Sequence, residues 1–459
     1  MKFIFAIIWF LIFIKLFLFW LWLWQLKEYH IGRFLAHFET QAIRKILSSF
    51  WRLKFPKFTQ KIIVISFSGV LLAVLITYFI FSLPDKDFYL ALLAFIFFAP
   101  LISSLVVLFF QIPTVILRHR ILQKAKRKRE QFKDLLVVGI TGSYGKTSTK
   151  EFLATILSEK FNVLKTKEHQ NSEMGISQCI LKELKKEHEI FVCEMGAYNK
   201  GGIKLLCHII KPKIGIITGI NEQHLATFGS MENLISAEGG LELIENLPES
   251  GIVFLNGKNE LCQKIYQGIK IKKYLYGQKA GLLLENIEGA KVVAKELGMT
   301  DEEIERACQK IENKLPGIQF KKARSPIGRG INGLNIIDAT YSANPDGVIS
   351  HLEYLKTFAG KKIIVMPCLI ELGKASKEVH QRIGKKIAEI CDLAIVTTKD
   401  RFKEIKDGSA SSSQRGTEVL FMENPKEIFK KIKEFSKEGD VVLLESRVPT
   451  ELIKRLTIP

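Results

Sequence analysis

Long apolar runs fill the first quarter of the chain, and short alternating elements fill the rest. Residues 3–24, 62–83 and 88–112 are each apolar over about 20 residues or more, the length that a helix needs to cross a bilayer. They predict a membrane segment over residues 1–117 with three transmembrane helices. A signal peptide is the alternative for the first run, but that run is long and no small-residue cleavage site follows it.

Beyond residue 134, β-rich runs alternate with amphipathic helical patterns. This alternation is typical of a mostly parallel, doubly wound sheet whose sites lie at the carboxyl ends of the strands. Two such series predict two α/β domains, over 135–315 and 316–459, divided near KLPG at 314–317. The predicted strands lie in LLVVGIT, EIFVCEMGA, KIGIITGI and GIVFLN, and then in LNIIDATYSANPDG, KKIIVMPCLIELG, CDLAIVTTKD and DVVLLESRVP.

The positively charged residues are concentrated beside the apolar runs, and this location bears on the partner and on the cellular compartment. The net charge is +20, and eight Lys or Arg residues lie in each of the segments 27–61 and 118–133, next to apolar runs. Basic residues beside membrane spans attract anionic lipids and set orientation, so the pattern favours membrane lipids and not nucleic acid as the partner. We expect a multi-pass protein of the inner (cytoplasmic) membrane, with 118–134 as a basic cytoplasmic linker and both α/β domains in the cytoplasm. Seven scattered cysteines without metal-ligand spacing fit buried thiols in a reducing compartment.

The first predicted strand of the α/β part runs into the loop TGSYGKTST. Glycines, a lysine and hydroxyls between a strand and a helix are typical of a phosphate-binding loop, although Ile140 stands where the strict pattern has its first glycine. Lys146 would reach the β- and γ-phosphates of ATP, and Thr147 would bind Mg²⁺. The candidate nucleotide-binding residues here are Thr141, Gly142, Ser143, Gly145, Lys146, Thr147 and Ser148.

Two further predicted strands end in polar side chains. Glu194 follows one strand, and Glu222 and His224 follow another. A single such residue is more often only solvated. Because the carboxyl ends of parallel strands meet at one edge of a sheet, however, together they are candidates for Mg²⁺ or phosphate contacts.

Several motifs occur together in an order that resembles the Mur ligases, and within them the branch that adds a D-alanyl-D-alanine dipeptide. The resemblance covers residues 135–459, and the loop of this family is typically TG-x-x-GKT without an initial glycine, which accounts for Ile140. The motifs are GITGSYGKTSTKE, NSEMGIS, EMGAY followed by GGIKLL, ITGINEQHLATFGSMENL, LPESGIVFLN, IIDATYSANPDG and IELGKASKEVH.

This resemblance implies an ATP-dependent acid–amino-acid ligase of cell-wall precursor synthesis. ATP would convert a substrate carboxylate to an acyl phosphate, which an amino acid or dipeptide amine would then attack. The implied catalytic residues are Lys146, Glu194 and His224, and the implied metal ligands are Thr147, Glu194 and His224. Asn171 and Ser172 would lie near the phosphates or substrate, and Asp338, Tyr341 and Asn344 of the C-terminal domain would close over the nucleotide.

The chain also departs from the family pattern. Gly240 is aligned with a lysine that the family carbamylates to bridge its metals, and Glu238 and Glu242 are nearby candidates to supply that negative charge. Ala339, Ser342 and Ile318 replace an aspartate, an asparagine and an arginine of the family motifs. The membrane segment stands where the family has a domain for the UDP end of its substrate.

These departures keep three functions open. The first is a membrane-anchored ligase acting on a small-molecule or lipid-linked muramoyl-peptide substrate. The second is a ligase similar to polyglutamate synthetases, and the third is a membrane-tethered ATP-binding regulator or scaffold that has lost ligation. A P-loop protein similar to tyrosine kinases is a weaker alternative, because it leaves the C-terminal domain unexplained.

Overall fold

The computed structural model of the protein describes residues 2–26, 29, 34, 54–167, 170–278, 284–311, 319–322, 333–340, 343–412 and 416–457. The domain division predicted at 314–317, most of the basic segment 27–61, and Tyr341, Ser342 and Ile318 lie outside these residues. The chain forms two compact units, Met1–Arg120 and Ile121–Pro459.

The first unit is helical and strongly apolar. Three of its helical stretches are long and apolar enough to cross a membrane by length and composition: Lys2–Leu26, Gln60–Phe81 and Ala99–Glu130. The run 88–112, predicted as one helix, is divided at Phe98 and again at Phe110. Pro100, the second residue of the helix that starts at Ala99, cannot donate a backbone hydrogen bond across the first break. The helices are α1 (Lys2–Leu26), α2 (Gln60–Phe81), α3 (Asp85–Phe97), α4 (Ala99–Phe109) and α5 (Gln111–Glu130), the last of which extends beyond the unit.

Aromatic side chains of α1 hold this unit together. The indole nitrogen of Trp9 donates to the carbonyl of Leu92 at 2.8 Å, and that of Trp24 donates to the hydroxyl of Ser104 at 3.0 Å. Gly69 of α2 leaves no room for a side chain, because a Cβ there would overlap the ring of Phe17. The unit therefore has its own packed core in addition to an apolar exterior.

The second unit begins with a six-stranded sheet in which all strands are parallel, in the order β2-β3-β1-β4-β5-β6. The central strands are fully buried apolar runs, as parallel strands covered by helices on both faces must be. The strands are β1 (Leu136–Thr141), β2 (Val163–Lys165), β3 (Ile190–Glu194), β4 (Ile214–Ile217), β5 (Ile252–Asn256) and β6 (Lys272–Tyr276). Their helices are α6 (Lys146–Leu157), α7 (Glu173–Glu183), α8 (Gly202–Ile210), α9 (Leu225–Phe228), α10 (Met231–Ser236), α11 (Leu241–Glu245), α12 (Glu260–Gly268), α13 (Glu285–Glu296) and α14 (Asp301–Ile311).

A second six-stranded sheet follows, in the order β11-β10-β9-β12-β8-β7, and only the pairing of β7 with β8 is antiparallel among its described strands. The strands are β7 (Gln319–Lys322), β8 (Asn335–Ala339), β9 (Lys362–Met366), β10 (Leu393–Val396), β11 (Glu418–Phe421) and β12 (Val441–Glu445). The helices are α15 (Pro345–Lys356), a 3-10 turn at Gly373–Ala375, α16 (Ser376–Ile390), α17 (Phe402–Ala410), α18 (Pro425–Phe435) and α19 (Thr450–Thr457). The two α/β domains expected from the sequence are confirmed.

The end of α5 is part of the central domain. Leu122 and Ala125 are buried in the core beneath the first sheet. Arg129 is also buried, and its guanidinium donates to the carbonyls of Ile210 at 2.9 Å, Phe132 at 2.9 Å and Leu135 at 3.2 Å. The basic segment predicted as a linker over 118–134 is therefore helical as far as Glu130, and its part from Ile121 onward packs within the second unit.

Candidate nucleotide-binding site

The glycine loop lies between β1 and α6, as the sequence predicts, and its glycines are required by the backbone. Gly142 and Gly145 have φ angles of +141° and +77°, which side chains disfavour. A Cβ on Gly145 would lie 2.7 Å from Oδ1 of Asn286, which also accepts a hydrogen bond from the hydroxyl of Thr149 at 3.2 Å. The loop thus precedes a helix N-terminus, the arrangement that binds phosphate in other proteins.

Lys146, the first residue of α6, is paired with a buried carboxylate. Its ammonium lies 3.2 Å from Oε1 of Glu238 and also contacts the carbonyl of Gly142. Oε2 of Glu238 lies 3.3 Å from Nδ1 of His224. Burial raises the pKa of Glu238, but the charges of Lys146 and His224 outweigh this effect and leave the pKa below its ordinary value. Glu238 is therefore a buried anion at the glycine loop.

The other carboxylate that the sequence suggested, Glu242, has a different place. It accepts the backbone N–H groups of Gly201 at 2.6 Å and Lys204 at 2.9 Å, and so caps the N-terminus of α8. Gly240 has a φ of +91°, and a Cβ there would overlap Ile217, so this backbone does not accept a lysine. Of the two candidates, only Glu238 contacts Lys146 and His224.

Glu194, at the carboxyl end of β3, gathers three polar partners. Its Oε1 accepts the Thr147 hydroxyl and the Asn171 side-chain amide, both at 3.1 Å. Its Oε2 lies 3.2 Å from the ammonium of Lys150, a fully buried residue of α6. Ser172, next to Asn171, caps α7 by accepting from the N–H of Gly175.

Thr147 and Glu194 fit a magnesium ion by their chemistry. Both present oxygen atoms, which Mg²⁺ prefers, and their 3.1 Å separation matches the about 3.0 Å between neighbouring ligands of an octahedral ion bound at about 2.1 Å. Among the described residues, no group of three or more His, Cys, Asp or Glu side chains is placed to hold a metal.

His224 lies in a different set of contacts from Thr147 and Glu194. Its Nδ1 faces Glu238, and its Nε2 lies 3.6 Å from Oε2 of Glu371, which belongs to the C-terminal domain. The backbone of Glu371 accepts the N–H of Ala226 at 3.0 Å. Both His224 and Glu371 adopt positive φ angles of 64° and 67°. The role of His224 as a metal ligand therefore stays a prediction.

The remaining predicted residues divide between the two domains. Thr141 donates to the carbonyl of Glu238 at 3.2 Å, and Ser143 donates its backbone N–H to Gly219 at 2.7 Å. Ser148 lies half-buried in the first turn of α6. Asp338, at the end of β8, accepts the hydroxyl of Thr340 at 2.7 Å.

Asn344 lies at the boundary between the domains. It caps α15 by accepting the N–H of Gly347 at 2.8 Å, and it also accepts the amide of Asn221 at 3.3 Å. Asn221 donates to Asp346 as well, at 3.0 Å. Glu222 receives two hydrogen bonds from Arg382, each of 3.2 Å. Loop residues of the central domain thus hold the C-terminal domain beside the glycine loop.

Four residues of this site were missed from the sequence: Lys150, Asn286, Asn221 and Glu371. Lys150 carried a signal, because it follows Lys146 by one helical turn and interrupts a face of α6 that is otherwise suited to burial. The other three come from distant parts of the chain, and only the fold brings them to the loop.

Comparison with known proteins agrees with this architecture. Residues 140–321 match the Mur ligase middle domain, and residues 324–447 match the Mur ligase glutamate ligase domain, so that together these models cover more than half of the chain. A UDP-N-acetylmuramoyl-tripeptide--D-alanyl-D-alanine ligase from Synechocystis is 29% identical over 274 residues, which are 55% of this chain and 59% of that one. The Bacillus subtilis protein of the same name is 26% identical over 68% of this chain and 72% of its own length.

Solved structures show the same fold. MurF ligase from Thermotoga maritima, in complex with ADP, is 26% identical with a TM-score of 0.61, over 74% of this chain and 82% of that one. MurF from Acinetobacter baumannii, at 23% identity and a TM-score of 0.62, covers 73% of this chain and 79% of its own and shows the shared fold. The chain spans about three-fifths of the Synechocystis relative. With the glycine loop, both sheets and both domain matches in agreement, the chain belongs to the Mur ligase family.

Proposed function

We propose that this protein is a membrane-anchored, ATP-dependent amide ligase of peptidoglycan precursor synthesis. The observation that carries the proposal is the group formed by Lys146, Thr147 and Glu194 at one edge of the central sheet, beside the glycine loop. A lysine for the phosphates and two oxygen donors for Mg²⁺ are what phosphoryl transfer from ATP requires. The curated relatives are named as ligases that join D-alanyl-D-alanine to a UDP-muramoyl tripeptide.

The proposed reaction has two steps. An oxygen of the substrate carboxylate attacks the γ-phosphorus of ATP, the bond to the bridging oxygen breaks, and ADP leaves with that electron pair. The amine nitrogen then attacks the acyl carbon, the tetrahedral intermediate collapses with loss of inorganic phosphate, and the nitrogen gives up a proton. The products are the amide, ADP and phosphate.

Lys146 would change partners during this reaction. In this structure its ammonium is paired with Glu238. The β- and γ-phosphates of ATP carry more negative charge than one carboxylate, so Lys146 would move to them and stay there as charge shifts in the transition state. Mg²⁺ held by Thr147 and Glu194 would supply further positive charge to the phosphates when it is bound.

The C-terminal domain would complete the site. Asn221, Glu222 and His224 of the central domain contact Asn344, Arg382 and Glu371 of the C-terminal domain. Loops joined in this way are suited to closing over bound nucleotide and substrate and to excluding water from the acyl phosphate. Asp338 and Tyr341 are proposed to reach the nucleotide from this side.

The apolar helices would anchor the enzyme at the cytoplasmic membrane. Three long apolar stretches and the basic residues of α5 fit a bilayer with anionic lipids. Such an anchor would place the active site near a lipid-linked muramoyl-peptide acceptor, although a UDP-linked acceptor remains compatible with it. Separation of cell membranes from cytosol tests the anchor, and recovery in a salt-washed soluble fraction would contradict it.

The ligase proposal is tested with the full-length protein purified in detergent. We expect phosphate release from ATP and Mg²⁺ that depends on both UDP-muramoyl tripeptide and D-alanyl-D-alanine, with formation of the coupled peptide. Lys146→Ala should abolish this release, whereas Lys385→Ala, which removes an exposed lysine, should leave it unchanged. Nucleotide binding without release dependent on both substrates would support the regulator or scaffold instead. Release with glutamate as the amine would support the ligase similar to polyglutamate synthetases.

A further inference from the structure

Lys150 is a fully buried lysine directly behind the candidate metal site. It lies one helical turn after Lys146, and its ammonium is 3.2 Å from Oε2 of Glu194 and 3.3 Å from Oε1 of Glu151. Within the described part of the chain, this ammonium has no hydrogen bond of good geometry. It is therefore held between two carboxylates mainly by charge.

This placement makes the two oxygens of Glu194 different. Oε1 faces the hydroxyl of Thr147 and the amide of Asn171, on the side of the glycine loop. Oε2 faces Lys150, in the interior of the domain. Rotation of the carboxylate to present both oxygens to an ion would separate Oε2 from a buried ammonium, which is costly. Glu194 can then offer one oxygen to a cation and not two.

The number of oxygens matters because divalent ions differ in what they accept. Mg²⁺ requires near-octahedral geometry with short bonds, and it is usually held by single carboxylate oxygens, phosphates and water. Ca²⁺ is larger, takes six to eight oxygens and often binds both oxygens of one carboxylate. A glutamate restricted to one oxygen is therefore a better partner for Mg²⁺ than for Ca²⁺.

We propose that Lys150 determines the metal specificity of this site by holding Oε2 of Glu194, so that the site accepts Mg²⁺ and discriminates against Ca²⁺. The proposal rests on the proposed function, because it takes Glu194 and Thr147 as ligands of a nucleotide-bound cation. Lys150 acts through Glu194 and is a positioning residue. A lysine that only balanced charge would affect both ions equally, and this difference separates the two roles.

The experiment measures metal-dependent nucleotide binding and does not require turnover. Full-length protein in detergent is titrated with MgCl₂ or CaCl₂ in the presence of a fluorescent ATP analogue, and the midpoint of each titration is recorded. In Lys150→Met the side chain keeps its length and loses its charge. We expect its Ca²⁺ midpoint to fall at least about tenfold relative to its Mg²⁺ midpoint, within the range that residues behind metal ligands produce.

Lys165→Met is the matched control. Lys165 also pairs with Glu151 but is 41% exposed, and no contact joins it to Glu194 among the described residues. This variant removes one positive charge from the same cluster, and we expect it to leave the ratio of the two midpoints unchanged. Equal shifts for both ions in Lys150→Met, or a changed ratio in Lys165→Met, would overturn the proposal.

Two further results keep the test decisive. If Lys150→Met does not fold, the wild type still tests the idea, because a wild type that binds nucleotide with Ca²⁺ as readily as with Mg²⁺ contradicts it. Lys150→Gln, shorter and polar, is the second variant, with the same expected change in ratio. Absence of any nucleotide binding by the wild type would count against the proposed function itself, whereas binding with an unaltered ratio in the variants would count only against the role of Lys150.

Discussion

Replacing Glu238 by glutamine removes a negative charge from beside Lys146 and His224 and leaves the shape of the side chain almost unchanged. The carboxylate is buried, and its oxygens lie 3.2 Å and 3.3 Å from the two partner nitrogens. At 3.2 Å and an effective dielectric constant of about 20, one such pair has a Coulomb energy of about 5 kcal/mol. Breaking buried pairs costs about 3–5 kcal/mol, and we expect the lower figure because glutamine still accepts hydrogen bonds. During the reaction Lys146 would leave Glu238 for the phosphates, so the charge that remains at work is the one that Glu238 presents to His224. If losing it raises the barrier by about 3 kcal/mol, turnover falls by roughly a hundredfold.

The assay is phosphate release at saturating ATP, with thermal unfolding measured on the same samples. Glu242→Gln is the control, because Glu242 lies on the same segment and is also buried, but its partners are backbone N–H groups at the start of α8. We expect this control to lose about 1–2 kcal/mol of stability, as a weakened helix cap does, and to keep its turnover once folded.

The reasoning fails if Glu238→Gln retains wild-type turnover while remaining folded. It also fails if the two variants lose turnover to the same extent, because a shared loss would reflect folding and not charge. A normal KM for ATP together with a lowered kcat would locate the effect in the chemical steps.

Three further changes test other parts of the structure. Arg382→Ala removes the exposed pair of hydrogen bonds to Glu222. We expect kcat/KM to fall by about fivefold or less, because an exposed ion pair contributes at most about 1 kcal/mol. Salt should weaken this effect, and a loss of kcat/KM that is equally large at high salt would contradict the reasoning. Burial lowers the pKa of His380 from its ordinary value of 6.5, so the unfolded chain takes up a proton at a higher pH than the folded protein does. The free energy of unfolding should therefore fall as the pH drops below 6.5 towards the lower pKa of the folded state. Urea unfolding at pH 7.5 and 5.5 measures this fall, which His380→Gln should reduce. Gly69→Leu would place a side chain against Phe17 between α1 and α2 and should destabilise the helical unit by about 1–3 kcal/mol. This loss is measured as faster proteolysis in detergent, and a rate of proteolysis equal to that of the wild type would refute the close packing.

The sequence was most informative where a buried strand ends in a functional group. Apolar runs such as Ile190–Glu194 are buried on both faces of a parallel sheet, so both their type and their position could be read. The edge strand Lys272–Tyr276 has the sequence KKYLY, which contains no long apolar run, and it escaped notice. The break at Phe98 escaped notice as well, although Pro100 in an apolar run was a signal for it.

Only those site residues could be predicted whose position follows from the order of strands, loops and helices along the chain. The glycine loop and Glu194 follow directly from strand and helix order. Glu238 and Glu242 could not be told apart in sequence, because their difference lies in which groups the fold turns toward them. Glu371 comes from another domain, and its approach to His224 depends on two residues with positive φ angles that carry no glycine signal.

The three carbonyls bound by Arg129 have a practical consequence for where this protein can be cut. By composition, the basic stretch before residue 135 belongs with the membrane segment, and a fragment without that segment would begin at residue 135. Such a fragment would lose the buried Leu122 and Ala125 and leave the carbonyls of Ile210 and Leu135 without their donor. A fragment that begins at Ile121 keeps them. The catalytic part of this protein is therefore bounded by a helix that its charge alone would assign to the membrane.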